Sequence, residues 1–468
     1  MSFAITMVMV CAGGLALLRL LRLATGNRAL DVALAWLVGS GWMALGAMVL
    51  RFVVGLRLSA ASLAGVSAAP IAAWAIAVRL RVAGPAAGEP LAPAGSAATP
   101  RWIPRPRWLF APVVAYVLVV LVAAALHGFN TPTQTDDGVR VRAFTPMLAF
   151  LDSWGSEARR LLVTAGPVPT FVPALAWIFT GSVQHFHVNY VVLADLAALL
   201  VLTVGVPSSR GSPERGWACA LALMSLPLFV YHCTSTHQDA VLAMFLAAGF
   251  VFALEYARTR AMADAARAMA LFVVASWVKR EGELVAAGPI LVLLANAAWA
   301  AWRDEGRLRR PVALLWLGVA VPMALVVVAR IAAAGTASAF PFLALAADRA
   351  AALAPAAPAP GGHGDAAGVF AYALFTSGNA GLTFWLVPAA IALRPRALLR
   401  PELAWPFATA AALFAEVAAS ALWLVPQYTL DQTTVHRALI AATLPAALWV
   451  AVVIADAAER GQRVGAKT

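Results

Sequence analysis

An all-α, polytopic integral membrane protein of about thirteen transmembrane helices is the fold this sequence predicts, on three observations. Hydrophobic residues make up 62% of the chain and charged residues only 12%, with a mean hydropathy of +0.82, whereas a soluble domain is about one-quarter charged. Apolar runs that span a bilayer or nearly do so recur throughout, at 3–19, 30–50, 59–79, 108–126, 187–206, 216–232, 239–256, 265–278, 284–302, 311–334, 376–393, 402–425 and 435–455. Basic residues also alternate between connections. Of the 34 Lys and Arg residues, 23 fall in one set, at Arg19–Arg28, Arg79–Arg107, Arg210 and Arg215, Arg258–Arg267, Arg303–Arg310, Arg394–Arg400 and Arg460–Lys467. Short loops rich in Lys and Arg stay in the cytoplasm, so this set marks the inner side. The formal net charge of +12 therefore reports topology and implies no nucleic-acid partner.

The first run, in MSFAITMVMVCAGGLALLRLLRL, has no basic residue ahead of it and Arg19 and Arg22 behind it. A signal peptide places its charge first, so the reading is an uncleaved span with its N-terminus outside. Residues 1–82 form a three-helix membrane segment, 83–107 a Pro/Ala/Gly-rich cytoplasmic linker, and 108–468 the membrane core. The Ala/Pro/Gly-rich stretch 351–364 reads as an outer loop, and no internal repeat is visible. Cys11, Cys219 and Cys233 lie in or at the end of apolar runs and give neither a disulfide framework nor a CxxC pattern.

Four outer connections carry unusual polar clusters. The first, NTPTQTDDGVRVRAFTPMLAFLDSW, places Asp136 and Asp137 beyond the run 108–126, then an apolar patch from Ala143 to Leu151 that reads as a short helix on the membrane surface. The second, YHCTSTHQDA, contains His237 and Asp239; the third, WVKREGELV, contains Lys279, Arg280, Glu281 and Glu283. The fourth, QYTLDQTTVHR, brings Asp431, His436 and Arg437 to the last span. Charges near hydrocarbon cost about 2.5–3.5 kcal/mol at mid-helix and less at the ends, so they tend to be paired or functional.

Each cluster has a structural reading beside its functional one. The acidic pair is a general base, a metal site or a solvated loop. Lys279 and Arg280 are either head-group anchors or anion ligands, and lysine scarcity draws attention to Lys279, since the chain's other lysine is Lys467. Asp239 either caps the next helix or, with His237 and one of Asp136 and Asp137, completes a metal site. Arg437 opens a helix whose dipole opposes it, which calls for an anionic partner. Arg159 and Arg160 are expected to snorkel, His185 and His187 to sit at the interface, and Trp154, Trp177 and Trp385 to form the aromatic belt. Together the clusters make a pocket that binds an anion and contains a base, which suits a phosphate-bearing substrate beside an acceptor hydroxyl.

The order of these elements resembles the GT-C superfamily of membrane glycosyltransferases, which includes protein O-mannosyltransferases and aminoarabinose transferases. TDDGVRVRAFTPMLAFLDSW resembles that family's first outer loop, with its acidic residues and amphipathic helix. TSTHQDAVLAMFLAAGFVFAL, WVKREGELVAAGPILVLL and HRALIAATLP resemble its later turns. The resemblance covers about residues 108–310 and 427–445. It implies a GT-C-like core with short outer-face amphipathic helices, and inverting transfer of a hexose or pentose from a polyprenyl-phosphate donor to an acceptor glycan, lipid or protein. In that reading Asp136 or Asp137 is the general base and its neighbour orients it or holds a divalent metal. Lys279, Arg280 and Arg437 bind the donor phosphate. His237, Asp239, Glu281 and Glu283 border the substrate, and His237 and Asp239 alternatively join Asp136 and Asp137 around the metal. The Arg- and Ala-rich composition adds the expectation of a bacterial inner membrane, with the active site facing outside.

Two rival readings share this pattern. A transporter or flippase of a lipid-linked or anionic solute predicts charges at membrane depth, broken helices and inverted repeats, and Arg330 and Glu416 do lie inside apolar runs. An O-antigen-type polymerase or ligase would share the substrates but not the early acidic pair.

Overall fold

A computed structural model describes residues 2–80, 102, 104, 107–130, 144–156, 159, 162, 166–183, 186–234, 237–303, 309–335, 363–419, 421–422 and 432–465. Every regular element among the described residues is helical. Hydrocarbon offers the backbone no partners, and a helix satisfies its own N–H and C=O groups within one segment. In chain order these are α1 (Ser2–Leu20), α2 (Arg28–Met48), α3 (Ala60–Arg79), α4 (Arg107–Asn130), α5 (Phe144–Phe150), α6 (Pro167–Thr180), α7 (Phe186–Ser209), α8 (Pro213–Met224) and α9 (Pro227–Thr234). They continue with α10 (Gln238–Thr259), α11 (Met262–Ala275), α12 (Gly282–Arg303), α13 (Arg309–Ala334), α14 (His363–Phe375), α15 (Thr383–Leu393), α16 (Pro401–Ala419) and α17 (Gln432–Gly465).

Among the described residues ten helices are long and apolar enough to span a membrane, or eleven spans if α8 and α9 together make one. The chain is therefore a multi-pass helical membrane protein. Three of the thirteen expected runs take another form. The run 216–232 divides into α8 and α9, bent by 74°, because Pro227 supplies no N–H and disfavours helical geometry in the residue before it. The runs 265–278 and 376–393 give helices of 14 and 11 residues, α11 and α15.

α10 is the centre of the bundle, its apolar window wholly buried among α7, α11, α16 and α17. The first three helices join this core. α2 packs on α6 and α7, and the Trp36 indole donates to Asp195 Oδ1 at 2.7 Å in a buried contact. α1 and α2 meet through small residues, as close helix pairs in membranes do. A Cβ on Gly14 would stand 2.1 Å from the Ala35 carbonyl oxygen, and one on Gly39 2.3 Å from that of Val10. By contrast α4 and α13 expose most of their length, as lipid-facing helices.

The tertiary packing corrects several expectations about single residues. Trp154 and Trp177 are buried rather than interfacial; Trp154 packs edge-on against Phe52, with ring centres 5.1 Å apart. Trp385 is exposed, with its indole bonded to the Phe375 carbonyl. His187 is buried and stacks on Phe3. Arg159, an exposed residue, donates to the carbonyls of Trp154 at 3.0 Å and Ala333 at 3.2 Å, tying the segment after α5 to the end of α13. The short helix expected after the acidic loop is α5, and it buries Thr145, Pro146, Leu148 and Ala149 against α6.

Candidate functional site

The strongest polar convergence joins the start of α10, the turn between α11 and α12, and the start of α17. Asp239 sits in the first turn of α10, where an acid suits the helix dipole. From the next connection Lys279 reaches back to it, with Nζ 2.7 Å from Asp239 Oδ1. Arg437 approaches the other oxygen, Nε to Oδ2 being 3.7 Å. One carboxylate thus organises two cations from elements distant in sequence. Within the turn, Glu281 lies 3.5 Å from Lys279 and 3.3 Å from Arg280.

Gly282 and Gly166 permit this close approach. A Cβ on Gly282 would stand 2.7 Å from the Ala275 carbonyl oxygen, so the turn closes tightly over the end of α11. Gly166, at a φ of +75°, would place a Cβ 2.4 Å from the Trp277 carbonyl oxygen. That position favours glycine on both conformational and steric grounds. Beside Asp239, His237 meets His232 edge to face with ring centres 4.2 Å apart, and Tyr231 flanks His232.

Among the described residues three cations, Lys279, Arg280 and Arg437, stand here against the two carboxylates of Asp239 and Glu281. Burial works against the Lys279 ammonium, but Asp239 and Glu281 outweigh it and hold the group above the ordinary lysine range. Burial likewise disfavours ionised Glu281, and Lys279 followed by Arg280 reverses this, keeping the carboxyl below the usual glutamate range. A depressed carboxyl contributes stability that is present above its unfolded pKa and lost as pH falls through its folded one. The gap in thermal midpoint between wild type and Glu281→Gln is therefore expected to stay constant from about pH 6 to about pH 9 and to shrink on acidification below the ordinary glutamate range. Thermal unfolding across a pH series checks it.

The structure thus brings together Asp239, Lys279, Arg280, Glu281 and Arg437, with His237 adjoining. Glu283 turns away and pairs with Arg330 of α13, a fully buried guanidinium. Glu416 of α16 lies close to Gly288, where a Cβ would meet its carboxyl at 2.8 Å. A lone Arg or Glu inside an apolar run, Arg330 and Glu416, is the sequence signal for these two contacts. Asp136, Asp137 and Asp431 lie outside the described residues, as do His185 and Arg160. Among the described residues no three His, Cys, Asp or Glu side chains gather as metal ligands. His237 and Asp239 would therefore need a third ligand from outside the described residues to hold a metal.

The helices and the convergent charges define a class, a multi-pass helical membrane protein with a cationic cluster at one end of its bundle. No family model matches the chain, and no characterised protein or solved structure does so either.

Proposed function

We propose that this protein is a membrane glycosyltransferase of the GT-C type, moving a sugar from a polyprenyl-phosphate donor to an acceptor on the extracytoplasmic face of a bacterial inner membrane. The observation that carries the reading is the meeting of Lys279 and Arg437 on Asp239. An anionic leaving group needs fixed positive charge, and side chains already oriented by a carboxylate supply it without reorganising.

In this reading the acceptor hydroxyl attacks the anomeric carbon and loses its proton to Asp136 or Asp137. The bond from that carbon to the phosphate oxygen breaks, and its electron pair stays with the lipid phosphate beside Lys279, Arg280 and Arg437. The other member of the acidic pair orients the base or shares a divalent cation with it. The described carboxylates nearest the cationic cluster support this division of labour: Asp239 and Glu281 are each committed to a cation. The test is transfer of radiolabelled sugar from a polyprenyl-phosphate pool by purified protein, with and without a chelator. Sugar release above a protein-free control is expected, and chelator sensitivity would add the metal.

Transport of a lipid-linked or anionic solute is the second reading. It draws on the 74° break between α8 and α9 and on Arg330 and Glu283, an ion pair within the span helices. Solute movement into vesicles without sugar release would replace the first reading with this one.

A further inference from the structure

At the end of the bundle opposite Asp239, the connection between α15 and α16 forms a second cationic site. The segment Arg394–Arg400 makes a short 3-10 turn over Pro395–Leu399. Arg394, Arg396 and Arg400 line a pocket there together with Leu393, Leu403 of α16, and Val453 and Asp456 of α17. The charge balance is lopsided. Arg400 lies 3.5 Å from Asp456, while among the described residues no carboxylate pairs with Arg394 or Arg396.

The same segment exposes two leucines to an unusual degree, Leu393 at 83% and Leu399 at 81%. Bare leucines on the same short turn as three arginines, just ahead of the α16 span, fit the boundary between hydrocarbon and head groups. A turn at that boundary would place its leucines in the acyl region and its arginines against phosphate. Arginine presents a planar fork that matches phosphate oxygens in pairs. Three guanidiniums around one pocket thus differ from scattered basic residues, which act only through the general surface field.

We propose that this pocket binds the phosphate head group of an anionic membrane lipid, seated between Arg394, Arg396 and Arg400 with its acyl chains beside Leu393 and Leu399. The site is independent of the Asp239 cluster and of the reaction proposed there. Lipid is favoured over a soluble phosphate compound because Leu393 and Leu399 lie on the same turn as the arginines.

The test uses the full chain in nanodiscs containing phosphatidylglycerol within phosphatidylcholine, and native mass spectrometry to count phosphatidylglycerol carried over. Wild type is expected to retain it. The double variant Arg394→Ala/Arg396→Ala is expected to retain about 25-fold less, roughly fivefold per arginine, while Arg394→Lys/Arg396→Lys keeps part of the binding through charge alone. Arg303→Ala, an exposed arginine at the same end outside the pocket, is expected to match wild type. Equal retention by wild type and the Ala double variant would overturn the proposal. So would an equal loss in Arg303→Ala, which would reduce the site to a diffuse surface field. Displacement of the lipid by stoichiometric glycerol 3-phosphate would also overturn it, showing a site for soluble phosphate. The Lys variant keeps the outcome readable if the Ala variant fails to fold.

Discussion

Arg267→Met is expected to lower the stability of the folded protein by about 3–5 kcal/mol, read as a large fall in thermal midpoint in detergent. Arg267 on α11 is 1% exposed and donates three ways: to the Leu23 and Ala24 carbonyls, each at 2.7 Å, and to Asp264 Oδ1 at 2.7 Å. Those carbonyls belong to the turn between α1 and α2, so one side chain fastens the first helical hairpin to the core. Removing it would orphan both carbonyls and leave Asp264, itself fully buried, with Arg210 as its remaining ion partner. Breaking one side of a buried pair costs more than the pair contributes when intact. The double variant Asp264→Asn/Arg267→Met is accordingly expected to lose less than the sum of the two single losses. Arg303→Met, exposed at the same end, should shift stability by no more than about 0.5 kcal/mol.

On the proposed transferase reading, replacing whichever of Asp136 and Asp137 is the base, by Asp136→Asn or Asp137→Asn, is expected to slow sugar transfer by about 10²–10⁴-fold, the usual contribution of a positioned general base. Donor binding should survive, because Lys279, Arg280 and Arg437, the phosphate ligands of that reading, are untouched. Lys279→Ala should act differently. With it the donor loses a charge-assisted partner, so binding weakens by roughly tenfold or more. Asp239→Asn provides the third contrast: it removes no phosphate ligand but frees Lys279 and Arg437 from their common anchor, so turnover falls while donor affinity holds. Single-turnover transfer together with equilibrium donor binding separates the three patterns. If neither Asp136→Asn nor Asp137→Asn changes turnover, the acidic loop is only a connection, and the transferase reading loses its base.

The sequence alone determined that this is a multi-pass helical membrane protein, because hydrocarbon leaves the backbone few choices and composition reports the solvent directly. It also singled out the residues that cluster. Asp239, Lys279 and Arg437 are conspicuous because ionised groups beside long apolar runs are costly unless they are paired or functional.

Which of them pair was decided only by tertiary structure. Asp239 and Lys279 are 40 residues apart, with Arg437 still more distant, and no local rule relates their side chains. Glu283 shows the limit within one turn. Two residues beyond Glu281 and of the same chemistry, it faces Arg330 of another span instead of Lys279. The buried Trp154, Trp177 and His187 follow the same logic, since hydropathy says that a segment is apolar but not which of its side chains meet protein. That choice rests on the packing of neighbouring helices, where a glycine such as Gly14 or Gly39 admits a backbone that any larger side chain would exclude.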